Sequence, residues 1–154
     1  MATETPCPYP VDELVPHSGD MSLLDEVVSF SEETLTARVV INPQSTFFHD
    51  GGVPAWVGIE YMAQAVAAWA GCGEKRTGGN PKVGFLLGSR KFSSSCAVFP
   101  QGAELIIHIE RELQDDSGLG SFQCSLTFDD QQQQARLNVF QPPDAAAFME
   151  TAKG

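Results

Sequence analysis

Only three histidines occur in the chain, His17, His49 and His108, so its candidates for proton transfer near neutral pH can be enumerated. His49 stands in Thr46-Phe47-Phe48-His49-Asp50-Gly51-Gly52-Val53-Pro54, with aromatics before it and a glycine pair after it. Apolar neighbours lower the pKa of an imidazole and keep it neutral, as a general base requires. The glycines allow a ligand close to the backbone. A helix start behind them offers unpaired N–H groups to a polarised carbonyl. The same residues also read as a loop histidine paired with Asp50, and both readings stand at this point.

Glu60 lies between Ile59 and Tyr61 in a segment almost free of charge. A carboxyl buried there would have a raised pKa and could give up a proton as a general acid. The plainer reading is a residue on a solvated stripe, favoured by the helix N-terminal dipole. Gln64 follows four residues later, on the same helical face and within hydrogen-bonding reach. His108 alternates with Ile107 and Ile109 and has Glu110 on its own side, which reads as a sheet-surface position. His17, in Val15-Pro16-His17-Ser18-Gly19-Asp20, reads either as a turn-ordering residue or as a second base candidate.

The elements that must hold these residues follow from periodicity. Pro6-Cys7-Pro8-Tyr9-Pro10 is a stiff, extended leader covering residues 1–10, and Val11 to Leu14 fits one helical turn. Ser22 to Phe30 and Leu35 to Ile41 read as strands joined in a hairpin at Ser31-Glu32-Glu33-Thr34. Pro54 to about Cys72 is predicted as one helix with apolar residues nearly all round, Pro54 in its first turn and Gly71 and Gly73 ending it. Four strands are expected after the Gly78-Gly79-Asn80-Pro81 loop: Lys82 to Phe92, Ala103 to Leu113, Gly118 to Phe128 and Ala135 to Phe140. The Gln131 to Gln134 run reads as a solvated hairpin end, and residues 142–154 as a terminal tail. Consecutive strands around one buried helix define an α+β fold, an antiparallel sheet curved around the helix. A flat sheet would leave one helix face uncovered, which implies strong curvature or a partner subunit.

Composition narrows the function. A chain of 154 residues with 42% hydrophobic and 19% charged content fits a single domain, 1–154, with a real core. Twenty acids against nine bases give a charge of −11, a poor basis for binding nucleic acid. Cys7, Cys72, Cys96 and Cys124 form no CxxC pair and read as reduced thiols of a cytoplasmic protein, without a zinc site. No basic n-region opens the chain, and Gly58, Glu60 and Gln64 interrupt its longest apolar stretch, so neither a signal peptide nor a membrane span is expected. Five of the bases, Lys75, Arg76, Lys82, Arg90 and Lys91, fall within seventeen residues. They read either as a helix-end complement with a solvated strand face, or as a docking patch for an acidic partner.

Glu60-Tyr61-Met62-Ala63-Gln64-Ala65 resembles the Glu-Ala-Met-Ala-Gln segment of the bacterial 3-hydroxyacyl-carrier-protein dehydratases, enzymes of the hotdog fold. The likeness continues through Leu14-Val15-Pro16-His17, Met21 to Val27, Phe47-Phe48-His49, Gly84-Phe85-Leu86-Leu87-Gly88 and Val98 to Leu105, in the family's order. Gly51 to Gln64 is similar to the divergent branch of hotdog dehydratases that accompanies aryl-polyene pigment synthesis in Gram-negative bacteria. The His-Phe-Pro-Gly segment of the better-known enzymes is absent, and His49 stands about three residues closer to Glu60, in chemistry that tolerates little displacement.

The resemblance implies a hotdog fold and elimination of water from a 3-hydroxyacyl thioester on an acyl carrier protein, giving a trans-2-enoyl thioester in fatty-acid or aryl-polyene type synthesis. His49 would be the base, Glu60 the acid, and Gly51, Gly52, Val53 and Gln64 substrate-binding residues, with no metal or organic cofactor. It also implies a homodimer, or a heterodimer with a related dehydratase, in which His49 of one chain faces Glu60 of the other. Two alternatives remain open: a noncatalytic subunit of a dehydratase heterodimer, and a hotdog acyl thioesterase using a carboxylate and water.

Overall fold

The computed structural model describes residues 3–14, 22–76 and 85–140. Seven antiparallel strands form the main sheet, in the order β1-β2-β3-β7-β8-β9-β5. They are β1 (Thr5–Pro6), β2 (Glu26–Phe30), β3 (Thr34–Val40), β5 (Phe85–Ser94), β7 (Glu104–Gln114), β8 (Leu119–Phe128) and β9 (Gln131–Phe140). A small second sheet pairs β4 (Gly52–Pro54) with β6 (Val98–Pro100). Helix α1 (Val11–Leu14) is one turn, and α2 (Gly58–Arg76) lies against β2, β3, β7, β8 and β9.

Alternation builds the sheet's inner face. Leu35, Ala37 and Val39 of β3, Leu105, Ile107 and Ile109 of β7, Phe122, Cys124 and Leu126 of β8, and Ala135 and Leu137 of β9 are all buried. They meet Tyr61, Met62, Ala65, Val66, Ala68 and Cys72 of α2, so one core lies between helix and sheet. The expected hairpin between β2 and β3 is present, as is the single turn of α1, and the extended leader adds a strand, β1, against β2.

Several expectations are corrected. Pro54 belongs to β4, where it pairs with Val98, and a 3-10 turn over Ala55–Val57 separates it from α2. Neither Gly71 nor Gly73 ends the helix, which runs on to Arg76. Gly71 is instead a contact point: a Cβ there would stand 2.0 Å from the carbonyl oxygen of Leu14 at the end of α1. The glutamine run does open β9 at the hairpin end, Gln131 pairing with Phe128 and Gln132 and Gln134 exposed, but Gln133 is completely buried. The short strands β1, β4 and β6 were not foreseen. The Gly78 to Pro81 loop, the start of the Lys82 strand, His17 and the terminal tail lie outside the described residues.

Cover over α2 is incomplete. Trp56 and Glu60 are exposed and Ala63, Ala67 and Ala70 are half-buried, at spacings of four, three, four and three residues, so one stripe of the helix faces away from the sheet. Among the described residues β5 pairs only with β9, and along it Leu86, Leu87 and Phe92 are exposed. Among the described residues no helix is long and apolar enough to cross a membrane.

Candidate active site

His49 occupies the first position of a tight turn. Its N–H donates to Gly52 O at 2.8 Å, and Gly52 N–H returns a bond to His49 O at 3.2 Å. The two central residues, Asp50 at φ 50° and Gly51 at φ 84°, both have positive φ, which defines a type I′ turn. Asp-Gly is a favoured pair for that turn, so this signal lay in the sequence unread. Phe47, another positive-φ residue at 69°, has its ring against that of Trp56, 5.3 Å between centroids.

The turn presents the imidazole to solvent. The His49 side chain is 81% exposed, and its Nε2 lies 3.0 Å from Asp50 Oδ2. The pairing with Asp50 foreseen as one reading is therefore present, and the apolar surroundings foreseen for a neutral base are not supplied by the chain's own residues. The glycine pair divides by function. Gly51 is open, with nothing within 4 Å of a Cβ position. Gly52 is glycine because β6 comes so close: a Cβ would stand 2.5 Å from Val98 Cγ1 and 2.7 Å from Phe99 O. Gly52 and Val53 are both buried against β6, which leaves Gly51 as the member of that set open to a ligand.

Glu60 stands in the first turn of α2 and is exposed. It is the only charged residue between Asp50 and Glu74, so the exposed stripe of the helix carries a single carboxylate flanked by Trp56 and Ala63. Gln64 is buried, and its Oε1 accepts the Leu23 N–H at 2.8 Å, tying the helix to the entry of β2. The neighbouring Tyr61 points inward, where burial, and secondarily the charge of Asp25, pushes its hydroxyl up to about 12.

His108 lies on the outer face of β7, as alternation foresaw. Its Nδ1 is 3.1 Å from Thr36 Oγ1 and 3.6 Å from the Glu4 carboxylate, which Ser29 also bonds. That cluster clamps the leader to the sheet and is not part of the His49 turn. Of the five clustered bases, Lys75 is half-buried near the end of α2, and Arg90 and Lys91 are exposed on β5; the Arg76 side chain and Lys82 lie outside the described residues. Arg90 sits directly across from Arg136 of β9, and Arg136 is itself paired with Glu112 at 3.0 Å. Sequence reasoning missed the exposed aromatic pair Phe47 and Trp56, whose adjacency needs the β4 turn. It also missed Gln133, whose Nε2 donates to Ala55 O beneath the helix start.

Comparison with known proteins gives the arrangement a context. The sequence model of a family described as ApeP dehydratase (ApeP-like) matches residues 9–150. A chain of the dehydratase heterocomplex ApeI:P from Xenorhabdus doucetiae superposes with a TM-score of 0.84 at 30% identity, over 95% of this chain and 99% of that one. A hypothetical thioesterase with coenzyme A from Streptococcus pneumoniae TIGR4 is 11% identical with a TM-score of 0.59, over 75% and 84% of the two chains. The PaaI protein of the E. coli phenylacetic acid degradation operon is 8% identical with a TM-score of 0.60, over 78% and 80%. These last two share the fold alone. A search of curated proteins finds no match.

Proposed function

The chain belongs to the ApeP-like dehydratase family and has its hotdog fold, and from that premise we propose that it eliminates water from a 3-hydroxyacyl thioester carried on an acyl carrier protein. In this reading His49 removes a proton from C2 and Glu60 protonates the hydroxyl leaving C3. Water departs and a trans-2-enoyl thioester remains. The N–H of Gly51, or those in the first turn of the helix, polarises the thioester carbonyl and acidifies C2. The observation that carries the proposal is the lone carboxylate of Glu60, exposed on an otherwise apolar stripe that the chain's own sheet leaves uncovered.

The pairing we propose joins β5, the edge strand of the sheet among the described residues, to the matching edge of a second protomer or of a related dehydratase subunit, bringing His49 of one chain opposite Glu60 of the other. The ApeI:P heterocomplex supports the second form. An acidic carrier protein would dock on the bases around Arg90 and Lys91, in the cytoplasm, where the free thiols are at home.

Incubating the purified protein, with any chain that copurifies, with a 3-hydroxyacyl carrier protein tests the reading by mass. Loss of water supports dehydration, free acid supports a thioesterase, and no change supports a noncatalytic subunit. His49→Ala and Glu60→Gln are each expected to abolish the loss of water while leaving the circular dichroism spectrum intact. Near-normal turnover in His49→Ala would transfer the role of base to His17. Sedimentation, with mass identification of every chain, tests the pairing, and a monomer at micromolar concentration would end it.

A further inference from the structure

Gln133 is the third of four consecutive glutamines, and it is the one the fold buries completely. Its Nε2 donates to Ala55 O at 2.7 Å and to Ser94 Oγ at 3.1 Å. Ser94 Oγ in turn donates to Cys96 O at 2.7 Å, and Ala97 O next along the chain accepts the Ala55 N–H at 3.0 Å. One amide in β9 thus ties the turn before α2 to the far end of β5.

The other half of that amide is unusual. Among the described residues Oε1 has no hydrogen-bond partner, and it is turned toward Gly58, where a Cβ would stand 1.9 Å from it. Exchanging the amide oxygen and nitrogen would set Oε1 against the carbonyl oxygen of Ala55, so chemistry fixes the orientation. An apolar side chain would fill the same space without stranding a buried acceptor. What it could not do is hold Ala55 O, which also accepts the Gly58 N–H that begins the helix.

We infer that Gln133 is a positioning residue for Glu60: its amide clamps Ala55 and Gly58 against β9 and the end of β5, and so sets the direction in which the first turn of α2 presents the carboxylate. Glu60 lies two residues beyond Gly58, so a small rotation at the clamp carries directly to it. The inference rests on the proposed role of Glu60 as the acid. It places the clamp between that acid and β5, so the strand with the open edge and the helix that carries the acid share one buried amide.

The test uses the full chain in whatever complex it is purified, with Gln133→Met, which keeps length and loses the donor. Hydrogen exchange at the amides of residues 56–62 should quicken about tenfold while those of β7 and β8 stay protected. With 3-hydroxyacyl carrier protein as substrate, kcat should fall roughly ten- to a hundredfold and KM stay within about twofold. Gly58→Ala presses on the same oxygen from the other side and should reproduce the loss of kcat. Unchanged exchange at residues 56–62 overturns the clamp, and a rise spread over β7 and β8 reduces it to general destabilisation. Glu60→Gln is measured alongside. If it is inactive and Gln133→Met keeps full kcat, the positioning role falls. If Glu60→Gln keeps full turnover, the assignment of the acid itself has failed, and the positioning role with it.

Discussion

Two glycines two residues apart in α2 offer a sharp test of how the helix is held. Alanine is favoured over glycine inside a helix by about 1 kcal/mol, so propensity alone would stabilise both Gly71→Ala and Gly73→Ala. Their surroundings differ. Among the described residues outside its own helix turn, nothing lies within 4 Å of a Cβ at Gly73, whereas a Cβ at Gly71 would stand 2.0 Å from Leu14 O, 2.7 Å from its carbonyl carbon and 2.8 Å from its Cα. Those are backbone atoms at the end of α1, next to the buried Val11 and Leu14 side chains, so relief requires the α1 backbone to retreat by about 1.5 Å to reach ordinary contact. Overpacking of this kind costs about 1–3 kcal/mol. Gly73→Ala should therefore gain about 0.5–1 kcal/mol, less than the full propensity term because it lies near the helix end. Gly71→Ala should lose up to about 2 kcal/mol net once the propensity gain is subtracted. For a domain of this size each kcal/mol moves Tm by about 2–4 °C, so thermal unfolding followed by circular dichroism should separate the two variants by several degrees, with opposite signs. A Gly71→Ala protein that melts higher, in step with Gly73→Ala, would refute the close approach of α1 to α2.

Three further outcomes are expected. Burial works to raise the Glu4 carboxyl, but hydrogen bonds from Ser29, Thr34 and Thr36 and the nearby His108 ring overcome it and hold the group below 4.5. A carboxyl depressed on folding contributes stability present above its unfolded pKa and lost as pH falls through the folded one. The Tm gap between the protein and Glu4→Gln should therefore close on acidification from neutral pH to about pH 3, and a constant gap would show the clamp to be uncharged packing. Burial, with a smaller contribution from Glu112, pushes the Cys124 thiol up to about 12, and Cys72 is also buried, so a thiol reagent near neutral pH should label Cys7 and Cys96 and reach the other two only after unfolding, as read by mass. Reversing Arg90 and Lys91 to glutamate should raise KM for carrier-bound substrate and spare a short thioester lacking the carrier, the difference shrinking as salt is added; equal effects on both substrates would rule out docking at β5.

What the sequence made legible, and what it hid, follows from the range of the interactions involved. The alternation of Leu105, Ile107 and Ile109 with His108 is a local pattern imposed by one buried sheet face, and it predicted both the strand and the outward histidine. The near-continuous apolar run after Pro54 announced a buried helix for the same reason. Its ends were misread because Gly71 answers to the backbone of Leu14, 57 residues away, and not to the helix's own termination. Gln133 was misread because its partners, Ala55 and Ser94, are 78 and 39 residues distant, so nothing beside it in the chain marks it for burial. The two- and three-residue strands β1, β4 and β6 are too short to carry a period. The His49 turn is the opposite case, since Asp50-Gly51 is a local and specific turn signal.

The uncovered stripe of α2 joins these observations. A helix apolar nearly all round needs cover on every side, and the chain's own sheet leaves Glu60 exposed and Ala63, Ala67 and Ala70 half-buried, in line with the exposed Trp56 of the turn before it. The three alanines along that line leave room for a close neighbour, and the single charge on it is the carboxylate proposed as acid. An exposed imidazole and an exposed carboxylate are poorly placed to take a proton from carbon and give one to a departing hydroxyl, steps that gain from a site shielded from water. The proposed pairing through β5 would meet both needs at once, covering the apolar stripe and removing Glu60 and His49 from solvent. In that arrangement the surface that looks unfinished in one protomer and the residues that carry the chemistry are the same surface.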